Sequence, residues 1–189
     1  LTILISKLKK IYNDFKMIFG LILLLTLTQG ITEFLPVSSS GHLVILPYFI
    51  EIPYQGKTFD VVLHFGSLFA VIFYLKNDIF EILKDMISKE RFTSKSFYFL
   101  KCIFLATLPV ILVGYIINLY KLEFIKLIQI VGWTTLTFGI LLGIADKTIT
   151  NKKFSPKLKD SIIIGLMQSI AIIPGVSRSG IVITTSRFL

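Results

Sequence analysis

The chain has 189 residues, 54% of them hydrophobic and 17 of them phenylalanine, and a formal charge of +9. With a mean hydropathy of +0.81, that much apolar side chain cannot be hidden inside a soluble domain of this size, which leaves an all-α, polytopic membrane protein. The positive charge does not indicate nucleic acid, because half of the 20 Lys and Arg lie in residues 76–95 and 147–159, as in basic cytoplasmic loops, and no basic face carries interleaved aromatics.

In chain order, residues 1–16 come first and are basic, with Lys7, Lys9, Lys10 and Lys16. The natural start is expected at Met17, where the apolar run opens, with residues 1–16 a misplaced start or cloning boundary; the alternative is a short amphipathic interfacial helix. Residues 17–189 then form one membrane domain. Met17–Ile50 does not fit a simple span, since Pro36 follows Glu33 closely and Ser38–Gly41 is poor helix material. It reads as two apolar half-helices joined by a polar elbow, a re-entrant hairpin.

Spans are expected at Phe59–Leu75, Phe97–Tyr120 and Phe124–Ala145, each near the ~20 residues that a bilayer core requires. Residues 77–96 read as a charged interfacial helix or loop, 119–123 as a short turn and 146–160 as a basic connection. The two basic segments are separated by two spans, so they share one side, cytoplasmic by the positive-inside rule. Cys102, the single cysteine, excludes an internal disulfide. A second hairpin begins near residue 161.

Shifting the sequence against itself by 139 positions sets Gln29–His42 on Gln168–Ile181 without a gap. QGITEFLPVSSSGH then faces QSIAIIPGVSRSGI, and VSSSG pairs with VSRSG. Three spans, an odd number, separate the elbows, so the hairpins are expected to enter from opposite faces as an inverted-topology repeat with one shared site.

The stretches TQGITEFLPVSSSGH and IPGVSRSG, together with FDVVLHFGSLFAVI at residues 59–72, resemble signature motifs of the undecaprenyl-diphosphate phosphatases. The resemblance runs from about Met17 to Leu189. It implies removal of the terminal phosphate from a polyprenyl diphosphate in the bacterial inner membrane, often with a divalent cation (Mg2+ or Ca2+), and altered bacitracin sensitivity. The family's glutamate motif falls on Gln29 and Glu33, its Ser-x-x-His element on Ser39 and His42, and its Pro-Gly-x-Ser-Arg-Ser element on Pro174, Gly175, Ser177, Arg178 and Ser179. Two departures stand out. Val182 occupies a position where the family often has Thr, and the family continues for roughly three more helices. A chain ending at Leu189 is therefore expected to be unstable or inactive alone, with elbow backbone and apolar faces unpartnered.

The same residues make chemical sense for a diphosphate. Arg178 offers a planar charged fork to phosphate oxygens, and backbone N–H groups at Gly175–Ser179, followed by a half-helix N-terminus, add an anion site. His42, three residues after Ser39, can deprotonate it as nucleophile or activate water directly. Glu33 orients His42 or holds a cation with Gln29, which lies one turn earlier. Ser38 and Ser40 read as turn residues, with Ser38 also carried as a substrate-binding candidate beside Ser177 and Ser179. His64, beside Asp60, reads as a structural histidine, and Trp133 and Tyr115 as packing or interfacial residues.

The structural alternative for Arg178 is neutralisation of Glu33. The alternatives for the whole chain are a transporter or flippase of lipid phosphates, which uses the same broken-helix architecture, and an inactive remnant of the phosphatase. The expected partners are the polyprenyl diphosphate and the bilayer, with no nucleic acid and with a homodimer as a further candidate.

Overall fold

The computed structural model describes residues 2–88, 94–121, 127–148 and 157–189, with side chains from residue 15 onward. The described residues are helical, with no strand among them. Helix α1 spans Thr2–Phe34, α2 Ser39–Phe49, α3 Lys57–Tyr74, α4 Lys76–Ile87, α5 Lys95–Leu119, α6 Ile128–Lys147, α7 Leu158–Ser169 and α8 Arg178–Phe188, with a 3-10 turn at Ile170–Ile172 after α7. Four helices are long and apolar enough to cross a membrane: Phe15–Phe34 within α1, α3, α5 and α6.

The expected spans fall on α3 and α5 to within two residues at each end. α6 starts at Ile128, and the expected first residues of that span, 124–126, lie outside the described residues. So do 89–93 of the charged segment, 122–123 of the turn and 149–156 of the basic connection. Residues 76–87 of the charged segment form α4, which packs on α5. α7 begins at Leu158 rather than near 161, because the Asp160 carboxylate accepts the Lys157 N–H at 3.0 Å and closes the first turn. α1 continues without interruption through position 17.

The distribution of side chains is the reverse of that in a soluble protein. Gln29, Ser38, Ser161, Ser169, Thr184 and Thr185 are buried, while most large apolar residues of the spans face outward. Trp133 and Tyr115 are among the exposed residues, which favours interfacial over packing roles for both. The apolar core is small and sits where α1, α2 and α3 meet, at Leu25, Leu43 and Leu63.

α1 stops at Phe34 for a local reason. Pro36 lacks an N–H and disfavours helical backbone at the residue before it. Ser38 then restarts the chain as N-cap of α2, its Oγ accepting the Gly41 N–H at 3.2 Å. Non-helical backbone is thus confined to residues 35–38. Ser39–Gly41, read from sequence as part of the elbow, form the first turn of α2, because Ser38 supplies the cap.

The second elbow repeats this arrangement. Ser177 caps α8 by accepting the Gly180 N–H at 3.1 Å, and the Ser177 and Ser179 hydroxyls lie 3.2 Å apart, as do those of Ser38 and Ser40. Gly175 takes the left-handed turn between them at φ +97°. Its missing Cβ also matters, since one there would lie 2.5 Å from the Val131 carbonyl oxygen of α6.

α7 lies along α5 with its backbone pressed against it. A Cβ on Gly165 would fall 2.6 Å from the Ala106 carbonyl oxygen, and Gln168 Nε2 donates to that same oxygen at 2.5 Å. α6 touches both short helices, α2 and α8. Arg187 ties α8 to the end of α6, donating from Nε to the Ala145 carbonyl at 2.7 Å and from Nη2 to those of Asp146 at 2.7 Å and Thr148 at 3.3 Å. They lie at the end of α6, where carbonyls lose the regular i+4 donor; Ala145 also receives the Thr148 N–H at 3.1 Å. Arg187→Ala is expected to cost about 1–3 kcal/mol, read as a lower unfolding temperature in detergent, and Arg187→Lys is expected to recover only part of it.

Candidate active site

The two elbows meet. Gly175 N–H donates to Ser38 Oγ at 3.1 Å, so one buried hydroxyl serves its own helix and the opposite elbow together. The close approaches are reciprocal. A Cβ on Gly41 would lie 3.1 Å from Gly175 Cα, and one on Gly180 would lie 3.1 Å from the Pro36 carbonyl oxygen. Under the 139-residue shift Gly41 corresponds to Gly180 and Pro36 to Gly175. The contact therefore maps onto itself, as across a local two-fold axis. One bond has no counterpart, because Pro36 has no N–H to offer Ser177.

Ser38→Ala would strand the Gly41 and Gly175 N–H groups in a buried position. It is expected to destabilise the protein by about 1–3 kcal/mol. Thermal unfolding of the variant in detergent checks this, and Ser38→Thr, which keeps the acceptor, is expected to fall less.

A cavity of about 560 Å3 opens beside this junction. From the first elbow it is lined by Glu33, Ser38, Ser39 and Ser40, and from the second by Ser177, Arg178 and Ser179. Ser39 and Arg178 occupy equivalent positions, each the first residue of its short helix, so two helix N-termini open on the same space. The unpaired N–H groups of a first turn, with the positive end of the helix dipole, favour an anion there.

Glu33 Oε2 collects donors. Ser39 Oγ donates to it at 2.7 Å and Gln29 Nε2 at 2.9 Å. Ser39 therefore already points its proton at a carboxylate. Helical spacing suggested a Ser39–His42 hydrogen bond, but His42 Nδ1 lies 2.7 Å from the Ser38 carbonyl, one turn back on its own helix. His42 is not among the residues lining the cavity, and Glu33 orients Ser39 rather than His42. Gly175 is also absent from the lining, and its N–H, expected in the anion site, is engaged by Ser38.

Arg178 lines the cavity and is exposed to it, and among the described residues its guanidinium forms no ion pair or hydrogen bond. The structural alternative, in which Arg178 neutralises Glu33, finds no such pair within 4 Å.

Gln29 is 1% exposed, and its Oε1 is the buried side-chain oxygen left without a partner among the described residues. No cluster of three or more His, Cys, Asp or Glu side chains able to hold a metal occurs among the described residues. The oxygens of Gln29 and Glu33 fit a hard cation only as a partial set, of the kind that substrate phosphates and water complete for magnesium.

One cavity residue had been read from sequence as a structural histidine. His64, on α3, lines the cavity, with Nε2 3.6 Å from Glu33 Oε2. A histidine in an otherwise apolar span was the available signal.

The family model described as "Bacitracin resistance protein BacA" matches residues 22–189, which include both elbows and every cavity residue. This chain belongs to that family. It is 42% identical over 172 residues to an undecaprenyl-diphosphatase of Campylobacter concisus, covering 89% of the chain and 65% of that relative. It is 42% identical over 177 residues to one of Roseobacter denitrificans, covering 91% and 66%, and 41% identical over 173 residues to one of Campylobacter curvus. The chain thus spans about 65% of the length of the curated relatives it matches. Family membership and four apolar helices make it an integral membrane protein.

Proposed function

We propose that this chain carries the reaction centre of an undecaprenyl-diphosphatase of the bacterial inner membrane, releasing inorganic phosphate, returning undecaprenyl phosphate to cell-wall synthesis and conferring bacitracin resistance. The observation that carries this reading is Arg178 on one elbow, without a guanidinium partner among the described residues, sharing a cavity with a hydrogen-bonded Ser39–Glu33 pair on the other. The names of the relatives support the same chemistry.

Arg178 and the N-termini of α2 and α8 bind the terminal phosphoryl oxygens, and the guanidinium fork fixes their orientation. Ser39 Oγ attacks the terminal phosphorus as its proton passes to Glu33 Oε2. The bridging P–O bond breaks, and its electrons leave on the lipid phosphate. Glu33, once free of that proton, takes one from water as the water attacks the phosphoserine, and gives it to Ser39 Oγ as the Oγ–P bond breaks, which releases phosphate and restores both the hydroxyl and the carboxylate.

A divalent cation, held by Gln29 and Glu33 oxygens, would supply neutralisation of the diphosphate charge. The two helix–elbow–helix units enter the membrane from opposite faces, a reading supported by the reciprocal contacts at Gly41 and Gly180. A transporter needs no hydroxyl donating to a carboxylate at its anion site, and this distinguishes the flippase reading.

The test is phosphate release from undecaprenyl diphosphate by the detergent-purified protein, measured for this chain and for a version extended to the length of its relatives. Binding of the substrate by the extended protein without release would favour the transport reading instead.

A further inference from the structure

The cavity between the elbows has an apolar part that the reaction described above does not use. Five aliphatic side chains line it, and four of them, Ala171, Ile172, Val176 and Val182, come from the second elbow and α8; Val37 is the fifth. Val176 is buried, whereas Ala171, Ile172 and Val182 keep part of their surface open.

The two elbows differ most at one pair of equivalent positions. Under the 139-residue shift Ile172 corresponds to Glu33, and both line the cavity. One place holds a carboxylate that receives the Ser39 hydroxyl, and the other an isoleucine that offers only apolar contact. Local structure fixes Ile172 there. α7 ends at Ser169 and tightens into the 3-10 turn at Ile170–Ile172, and Pro174 keeps Ile173 extended after it. Gln168, one turn earlier, is tied to the Ala106 carbonyl of α5. Away from the cavity, Ile172 Cδ1 lies 3.6 Å from where a Cβ on Gly114 of α5 would sit. The apolar wall thus continues from the cavity to a membrane-spanning helix whose Ile111 and Tyr115 face outward.

A diphosphate ester brings a charged end and, on the other side of its bridging oxygens, whatever alcohol it was made from. Arg178 and the two helix N-termini take the charged end. An apolar alcohol cannot lie against Glu33, Ser39, Ser40 and His64 without stripping polar groups of water, which is costly when no hydrogen bond replaces it. Against Ala171 and Ile172 it loses nothing. A sugar or nucleoside would instead press hydroxyls on two side chains that offer no partner, and would be rejected there.

We propose that Ala171, Ile172 and Val182 form the subsite for the first isoprene unit of the lipid, and that Ile172 sets the preference of the site for prenyl diphosphates over other diphosphate esters. The proposal rests on the reading of Ser39, Glu33 and Arg178 given above, and adds to it the side of the cavity on which the chain lies.

Two measurements test this on the protein extended to the length of its relatives. The first compares kcat/KM for dimethylallyl diphosphate, which carries one isoprene unit, with that for methyl diphosphate, which carries none. Both are soluble in water, so partition into detergent does not enter, and the ratio is independent of how much of a variant folds. Ile172→Asn is expected to lower the ratio on the order of 10-fold or more, the scale of lost apolar complementarity in a pocket, and Ile172→Leu to recover most of it. A ratio in Ile172→Asn close to that of the unaltered protein overturns the proposal. If Ser39→Ala abolishes hydrolysis of both esters while that ratio stays unmoved, the proposal alone fails; if Ser39→Ala hydrolyses both at the original rate, the reading of the site fails.

The second measurement needs neither turnover nor a variant. A prenyl methylenediphosphonate, which the protein cannot hydrolyse, carries a diazirine in its first isoprene unit and is photolysed in the bound state. Mass spectrometry is expected to find the label within residues 171–182, displaced by unlabelled dimethylallyl diphosphate. Displaceable label on α1, α2 or α3 instead, or no displaceable label, overturns the proposal.

Discussion

Ser39→Ala is expected to lower phosphate release by on the order of 10⁴-fold or more, as removal of an attacking hydroxyl does in enzymes that form a covalent intermediate. Ser39 Oγ lies 2.7 Å from Glu33 Oε2 and opens on the cavity that Arg178 shares. The variant removes one hydroxyl and leaves the cap at Ser38 and the elbow contacts in place. Binding of a non-hydrolysable diphosphate analogue should therefore change little, which separates loss of chemistry from loss of the site. Rapid quenching of the unaltered protein should trap a phosphoserine at position 39, read by mass spectrometry. A Ser39→Ala protein that keeps a substantial rate would move the attack to water. Glu33 would then be its base, and Glu33→Gln would become the variant that stops turnover.

The elbows were legible because their signals are local. A proline, a run of serines and a glycine inside apolar sequence dictate a break and a restart, and the pairing of VSSSG with VSRSG marks the two elbows that meet. The span ends in α3 and α5 were legible from hydropathy alone. Where helix α2 begins was not, since any of three adjacent serines can cap a helix. Ser38 has the advantage that it also receives the Gly175 N–H, a tertiary bond spanning 137 residues of sequence.

The same reason explains the errors at single residues. Spacing along a helix correctly put Gln29 beside Glu33, one turn apart. The Ser39–His42 hydrogen bond that it suggested is not formed, because the preceding turn of His42 offers a nearer carbonyl at Ser38 and Ser39 donates to Glu33. The N–H of Gly175 was expected in the anion site, but a partner from the other elbow, Ser38, takes it. His64 was unreadable as a neighbour of Glu33, because only the packing of α3 against α1 brings the two together.

Arg178→Lys is expected to reduce kcat/KM by about 10²–10³-fold, the usual effect of removing one well-placed donor to a developing negative charge. The ammonium of lysine keeps the charge but not the planar pair of donors, so it cannot hold two phosphoryl oxygens in a fixed orientation. What makes the variant informative is that Arg178 forms no ion pair or hydrogen bond from its guanidinium among the described residues. An arginine that balances a carboxylate would, on removal, leave that carboxylate uncompensated and lower stability as well as activity. Here the unfolding temperature in detergent is expected to stay within a degree or two of the original, roughly the scale of a surface substitution, while activity falls. Arg187→Lys, at the joint between α8 and α6, is the control with the opposite pattern: it weakens the fold and leaves the phosphate site its donors. Guanidinium added to Arg178→Ala should recover part of the lost rate, because the cavity is open and the missing group is small. Near-full activity in Arg178→Lys would remove the phosphate clamp from the mechanism. A fall in stability matching that of Arg187→Lys would instead make Arg178 a structural residue.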